Sequence, residues 1–281
     1  MNAPVQRHFV QAGGLLWHYR QAGSRGLPTL VLLHASPRSS AMFEPWMAQL
    51  APHFHVLAPD TPGYGQTPAL ADRPRTMADY VGPLHNFLNE MTDELTDAPP
   101  MIYGSATGAQ LGIAYANTHP QALRHLLIDN AAHFSEAERQ HILARYFPDL
   151  TPQADGSHLQ SAWLMCVQQA QFFPWFDADE AHRFSPRVPL AAEVQASLAE
   201  LLAAGPNYAD AYRAAFDHER AAHVQALRVP TTVLRWAGSI LLKHIDALLA
   251  FELPAQVRTL HVPATLPERY ATMNKHLLTL R

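Results

Sequence analysis

The sequence predicts an α/β protein, a mostly parallel sheet with helices on both faces and one helical insertion. Three observations predict it. Up to about residue 130, short β-type runs alternate with helical patterns. Runs such as Thr29 to His34 are apolar without alternation, as expected of strands covered on both faces. From residue 131 to residue 228 no convincing strand is visible, and strands then resume.

The elements follow in order. His8 to Gln11 and Leu15 to Arg20 flank Gly13-Gly14 and read as a hairpin at the sheet edge. Thr29 to His34 is the first buried strand, followed by a helical pattern from Met42 to Ala51. His55 to Asp60 is a strand ended by the turn cluster Thr61-Pro62-Gly63-Tyr64-Gly65. Thr76 to Met91 reads as a helix with Thr76 as its N-cap. Met101 to Gly104 and Leu123 to Asp129 are strands on either side of a helix from Ala109 to Thr118. The insertion holds the aromatic cluster Phe172-Phe173-Pro174-Trp175-Phe176 and amphipathic patterns at Val194 to Ala203 and Tyr208 to Phe216. Strands at Thr231 to Trp236 and Val257 to Val262 are each followed by a helix, near Ile240 to Phe251 and Pro267 to Leu280.

Composition narrows the function classes. With 48% apolar and 16% charged residues, the chain has too much to bury for disorder. A net charge of −4 offers no basic footprint for nucleic acid. Cys166, the single cysteine, excludes a disulfide framework or a cysteine metal cluster. The 17 histidines form no H-E-x-x-H pattern, so neither a metal nor another cofactor is expected. No apolar run reaches the ~18 residues of a membrane helix. Met1 to His8 lack the basic start and apolar run of a signal peptide, so the default expectation is a cytoplasmic protein with no membrane partner.

Chemistry is expected in the loops at the carboxyl ends of the parallel strands. These are His34-Ala35-Ser36-Pro37-Arg38, Asp60-Thr61-Pro62-Gly63-Tyr64-Gly65 and Gly104-Ser105-Ala106-Thr107-Gly108. In this order and spacing they resemble the α/β-hydrolase superfamily, in its capped branch with epoxide hydrolases and haloalkane dehalogenases. The first resembles the H-G-x-P oxyanion loop, with Ala35 in place of glycine. The second is similar to the D-x-x-G-x-G turn, and the third to the nucleophile elbow. The resemblance implies a core of residues 1–130 and 229–281 and a helical cap of residues 131–228. Tyr103 to Gln110 and Asp155 to Trp163 resemble a branch in which the nucleophile is replaced.

The resemblance also shows what is missing. The elbow apex is Ala106, whose methyl group has no lone pair with which to attack. Ser105 is a substitute one residue out of place. After the strand ending at Trp236 no carboxylate appears until Asp246; Asp129 is either an alternative acid or a structural residue. No histidine lies between His261, inside its strand, and His276, far along the last helix. Nucleophile, acid and base are thus all unsupported, which argues for natural loss of the triad over an alanine engineered into position 106.

The backbone N–H groups of Ser36 and Thr107 are expected to remain as an oxyanion site. His34 is read as anchoring the oxyanion loop or touching ligand, and Arg38 as either a surface ion pair or a cation for a carboxylate ligand. His133 and His158, if the cap folds over the site, are the acid–base candidates. Trp163 and Trp175, with Phe172, Phe173 and Phe176, form either the cap's core or a ligand wall. The expected function is a hydrolase or lyase without a triad, acting on a small carbonyl- or carboxylate-bearing compound. The alternative is a non-catalytic binding protein. A small molecule is the expected partner, and a homodimer is left open.

Overall fold

A computed structural model describes residues 4–91 and 98–281. Met1, Asn2 and Ala3, part of the N-terminal segment read above, lie outside the described residues.

The hairpin forms as expected and is longer: β1 (Gln6–Ala12) pairs antiparallel with β2 (Leu15–Ala22) across Gly13-Gly14. The apolar runs become β3 (Thr29–Leu33), β4 (His55–Pro59), β5 (Met101–Ser105) and β6 (His125–Asp129). Every residue of β3, β4 and β5 is buried, which is why these runs carry no polar alternation. With β7 (Thr231–Trp236) and β8 (Val257–Val262) they form one sheet in the order β1-β2-β4-β3-β5-β6-β7-β8. The pairings from β4 to β8 are parallel, and only the β1–β2 and β2–β4 pairings are antiparallel.

Period 2 sends alternate side chains to opposite faces. Leu30, Leu32, Val56, Tyr103, Leu127 and Leu234 face α1 (Glu44–Leu50) and α10 (Leu266–Thr279), where Trp46, Met47, Met273 and Leu277 pack. Val31, Leu33, Leu57, Ile102, Ile128 and Val233 face α2 (Ala78–Glu90), α3 (Thr107–Thr118) and α9 (Leu242–Leu249). The result is a sheet between two helical layers.

Two local expectations are corrected. The helical pattern at Met42 starts as a 3-10 turn at Ser40–Phe43, with Ser39 accepting the Ala41 N–H, before α1 begins. Helix α2 starts at Ala78, and Thr76 does not cap it. The Asp79 carboxylate instead reaches back to accept the N–H groups of Arg75 and Thr76, each at 2.9 Å, and the Thr76 hydroxyl donates to it.

Between β6 and β7 the described chain forms only helices, turns and one isolated bridge, between Phe172 and Arg183. The helices are α4 (Glu136–Arg145), α5 (Ser157–Gln169), α6 (Ala191–Ala203), α7 (Asp210–His218) and α8 (Ala221–Gln225). Helix α4 is started by a capping box between Ser135 and Glu138. No helix among the described residues is long and apolar enough to cross a membrane.

A buried polar network fixes the loops that follow β3 and β4. The Asp60 carboxylate accepts from the Ser40 N–H at 2.7 Å, the Ser40 hydroxyl at 2.5 Å and the Gln66 N–H at 2.9 Å, and it meets His18 Nδ1 at 2.7 Å. A Cβ on Gly65 would fall 2.0 Å from this carboxylate, so the glycine leaves room for it. Burial opposes ionisation of Asp60, but the neighbouring His34 together with the Ser40 and Gln66 donors outweighs it and holds the carboxyl below its ordinary pKa. The stability held by Asp60 is therefore complete above about pH 4 and is lost as pH falls through its depressed folded value. Asp60→Ala is expected to cost about 3–5 kcal/mol at neutral pH. Denaturant unfolding from pH 7 to pH 3 should show a smaller loss of stability in the variant than in the wild type.

Candidate functional site

The elbow is sharply formed. Strand β5 ends at Ser105, helix α3 begins at Thr107, and Ala106 between them has φ 48° and ψ −109°. A non-glycine residue at positive φ is uncommon and carries ~1–3 kcal/mol of strain. The surroundings hold it there: its N–H donates to the Asp129 carbonyl at 2.8 Å, and its carbonyl accepts the Gln110 N–H at 3.1 Å. The flanking glycines are required by space. A Cβ on Gly104 would lie 2.2 Å from the Gly108 carbonyl oxygen, and one on Gly108 would lie 2.1 Å from that of Leu33.

Ala106 opens onto a cavity of about 290 Å³. Ser36, Ser105 and Thr107 line its floor, and Trp236, Gly238 and Leu241 line the side after β7. Tyr146, Phe173, Tyr212, Phe216 and Glu219, from the helical segment between β6 and β7, line the rest together with Asn130. The Thr107 N–H belongs to the first turn of α3, where no intrahelical acceptor exists. The Ser36 N–H is only loosely engaged, at 3.4 Å from Thr107 Oγ1. Both residues line the cavity.

The places where the family carries acid and base hold other pairs. Beyond β7, Ser239 donates to Asn130 Oδ1 at 2.6 Å and accepts the Leu241 N–H at 3.0 Å. Asp246 is committed to Arg235 through two contacts of 2.6 and 2.8 Å. Asp129, fully buried, accepts from the Tyr103 hydroxyl at 2.5 Å and from Arg269 Nη2. Arg269 comes from the first turns of α10 and stacks on Trp236 at 4.1 Å. Neither Asp129 nor Arg269 lines the cavity. Asp129 is thus an ion-pair residue on the α1–α10 face. His261 and His276 are also absent from the cavity wall, and His276 Nε2 meets the Thr232 hydroxyl at 3.0 Å.

Several residues singled out in the sequence sit elsewhere. Both ring nitrogens of His34 are taken by backbone: Nε2 accepts the Thr61 N–H at 2.8 Å and Nδ1 donates to the Ala35 carbonyl at 3.0 Å. Burial lowers its pKa, in keeping with this neutral tautomer. His34 thus ties the first loop to the second and does not touch the cavity. Arg38 is also outside the cavity, its Nη1 2.7 Å from Glu200 Oε2 and its side chain 46% exposed. The expected cation beside the oxyanion loop is therefore a surface ion pair holding that loop to α6.

His133 Nδ1 accepts the Ala221 N–H at 3.1 Å, and His158 Nδ1 accepts the Gln153 N–H at 3.0 Å. Neither imidazole reaches the cavity, which removes both acid–base candidates. Trp163 is 38% exposed, and Trp175 donates to the Tyr146 carbonyl at 3.0 Å within an aromatic cluster. Neither lines the cavity; from the Phe172 to Phe176 cluster, Phe173 does.

Glu219 escaped the sequence reading. It follows α7, is 4% exposed and lines the cavity, and its Oε2 is buried without a hydrogen-bond partner among the described residues. Burial alone pushes its pKa well above the carboxylate range. Nothing in His218-Glu219-Arg220 distinguishes it from a solvated charge. Only the packing of α7 against α3 and α4 turns it inward. Nearby, the Tyr146 and Tyr212 hydroxyls meet at 2.9 Å.

The sheet order, the strained elbow and the loops after β3 and β4 define an α/β-hydrolase scaffold. A model of the α/β-hydrolase fold matches residues 28–161. An uncharacterized hydrolase of Saccharomyces cerevisiae is 32% identical over 127 residues, 45% of this chain and 42% of that protein. A haloalkane dehalogenase of Mycobacterium marinum is 29% identical over 134 residues, 45% of this chain and 44% of the dehalogenase. The chain thus spans less than half the length of these curated relatives. The crystal structure of epoxide hydrolase A from Mycobacterium thermoresistibile has a TM-score of 0.68 at 17% identity, covering 98% of this chain and 97% of that one. The chain thus has the α/β-hydrolase fold.

Two variants test the geometry. Gly108→Ala puts a methyl group into the Leu33 carbonyl and should destabilise by at least the ~1–3 kcal/mol typical of overpacking. Arg269→Met leaves the Asp129 carboxylate buried and unpaired, at a cost of about 3–5 kcal/mol. Adding Asp129→Asn should recover much of that loss, a coupling that denaturant midpoints would reveal.

Proposed function

We propose that this chain is a member of the α/β-hydrolase superfamily that works without a covalent nucleophile, a hydrolase or lyase acting on a small carbonyl compound. The observation that carries the reading is Ala106 at the apex of an intact elbow. The strain and the steric demands on both glycines are those of a tight elbow, and a methyl group stands at its apex. In this reading residues 1–130 and 229–281 form the core and residues 131–228 a cap over the cavity. The ligand's carbonyl oxygen is taken by the N–H groups of Ser36 and Thr107, with the positive end of α3 adding ~0.3–1 kcal/mol for developing negative charge.

The placement of Arg38 changes the expected ligand. A carboxylate entering the cavity would meet an acidic side chain and no cation from its lining residues. A neutral carbonyl compound suits it better, because an unpaired buried charge is costly. The second reading, a protein that binds such a molecule without turning it over, draws on the absence of imidazole from the lining residues.

A serine-directed phosphonate should not label the protein, and ester hydrolysis should show no burst. Loss of the serine nucleophile removes on the order of 10⁶ in kcat in a triad enzyme. Ala106→Ser should not restore esterase activity, since no histidine lines the cavity to take its proton. Ala106→Trp should block binding or turnover of small ketones and esters by filling the cavity. Stoichiometric labelling at Ser105 would overturn the reading. Turnover of a carbonyl panel separates the enzyme from the binding protein.

A further inference from the structure

We propose that Glu219 is the ligand-selecting residue of the Ala106 cavity, a carboxylic acid that donates a hydrogen bond to a neutral, oxygen-bearing ligand. The inference rests on the cavity reading above and adds the residue and the ligand chemistry.

Three observations lead to it. Glu219 is 4% exposed, yet its Oε2 has no hydrogen-bond partner among the described residues. An unsatisfied buried carboxyl is costly, so it is retained where something outside the fold satisfies it. The carboxyl borders the same cavity as Ala106, Ser36 and Thr107, so one molecule can reach both the amides and the acid. The other polar side chains of the upper wall each have a partner: the Tyr146 and Tyr212 hydroxyls bond each other at 2.9 Å, and Asn130 Oδ1 accepts from Ser239.

Charge then selects the class. The lining residues include no arginine, lysine or histidine, so no cation from the wall holds Glu219 ionised. Burial acts unopposed and favours the protonated carboxyl. A neutral carboxyl is a donor, and what complements it is an acceptor oxygen of a ketone, ester, lactone or amide. The remaining wall, with Phe173, Phe216, Trp236 and Leu241, calls for an apolar body on that ligand.

The test uses four probes of one shape at pH 6.5: phenylacetone, phenylacetate, 2-phenylethylamine and propylbenzene. Affinities are measured by ligand-observed NMR with wild type, Glu219→Gln and Glu219→Leu. Wild type should bind phenylacetone at least tenfold more tightly than phenylacetate. Glu219→Leu should reduce the preference for phenylacetone over propylbenzene by about five- to tenfold, the equivalent of one neutral hydrogen bond. Glu219→Gln keeps a donor and should hold that preference to within about threefold. Removing an unsatisfied buried acid should also raise the melting temperature of Glu219→Leu by a few degrees.

An unchanged ketone preference in Glu219→Leu, or a drop in its melting temperature, would make Glu219 a structural residue and overturn the proposal. Tighter binding of the amine than of the ketone would overturn it in favour of an ionised carboxylate. If Ala106→Trp leaves binding of all four probes unchanged, the cavity reading itself fails. Ketone binding that Ala106→Trp abolishes but Glu219→Leu leaves intact sinks only the role of Glu219.

Discussion

The site depends on one backbone-to-backbone approach. The first turn of α3 lies so close to the end of β3 that no side chain fits between Gly108 and the Leu33 carbonyl. That contact forces β5 to turn within one residue, puts Ala106 at positive φ, and brings the Thr107 hydroxyl beside the Ser36 N–H. The position of the cavity floor follows from it. Such a turn resists change, because relaxing the strain at Ala106 would mean moving a helix packed against β3, β5 and β6.

Around this turn the polar residues are engaged in structural contacts. Asp129, Tyr103 and Arg269 form a buried cluster below the cavity, capped by the Trp236 ring. Ser239 and Asn130 close the loop after β7 on themselves. None of Asp129, Tyr103, Arg269 or Ser239 is among the residues that line the cavity. The carboxyl that lines the cavity, Glu219, belongs to the helical segment between β6 and β7.

The histidines show why residue type alone misleads. His34, His133 and His158 each accept a backbone N–H through a ring nitrogen, and His34 donates with the other. An imidazole used in this way fixes a loop and is withdrawn from acid–base work. The same holds for Arg38, whose pairing with Glu200 lies 162 residues away in sequence. No local pattern announces a partner at that distance.

What the sequence by itself determined was local and periodic. Unbroken apolar runs required strands covered on both faces, the Gly104 to Gly108 spacing required a tight strand-to-helix turn, and Ala106 set a methyl group at its apex. These follow from sterics and burial acting within a few residues. The tertiary structure alone decided which polar groups face the cavity. Glu219 points inward, and Arg38 outward, because of how α6 and α7 settle against the core. That arrangement is set by packing between segments far apart in the chain, for which the sequence carries no short-range signal.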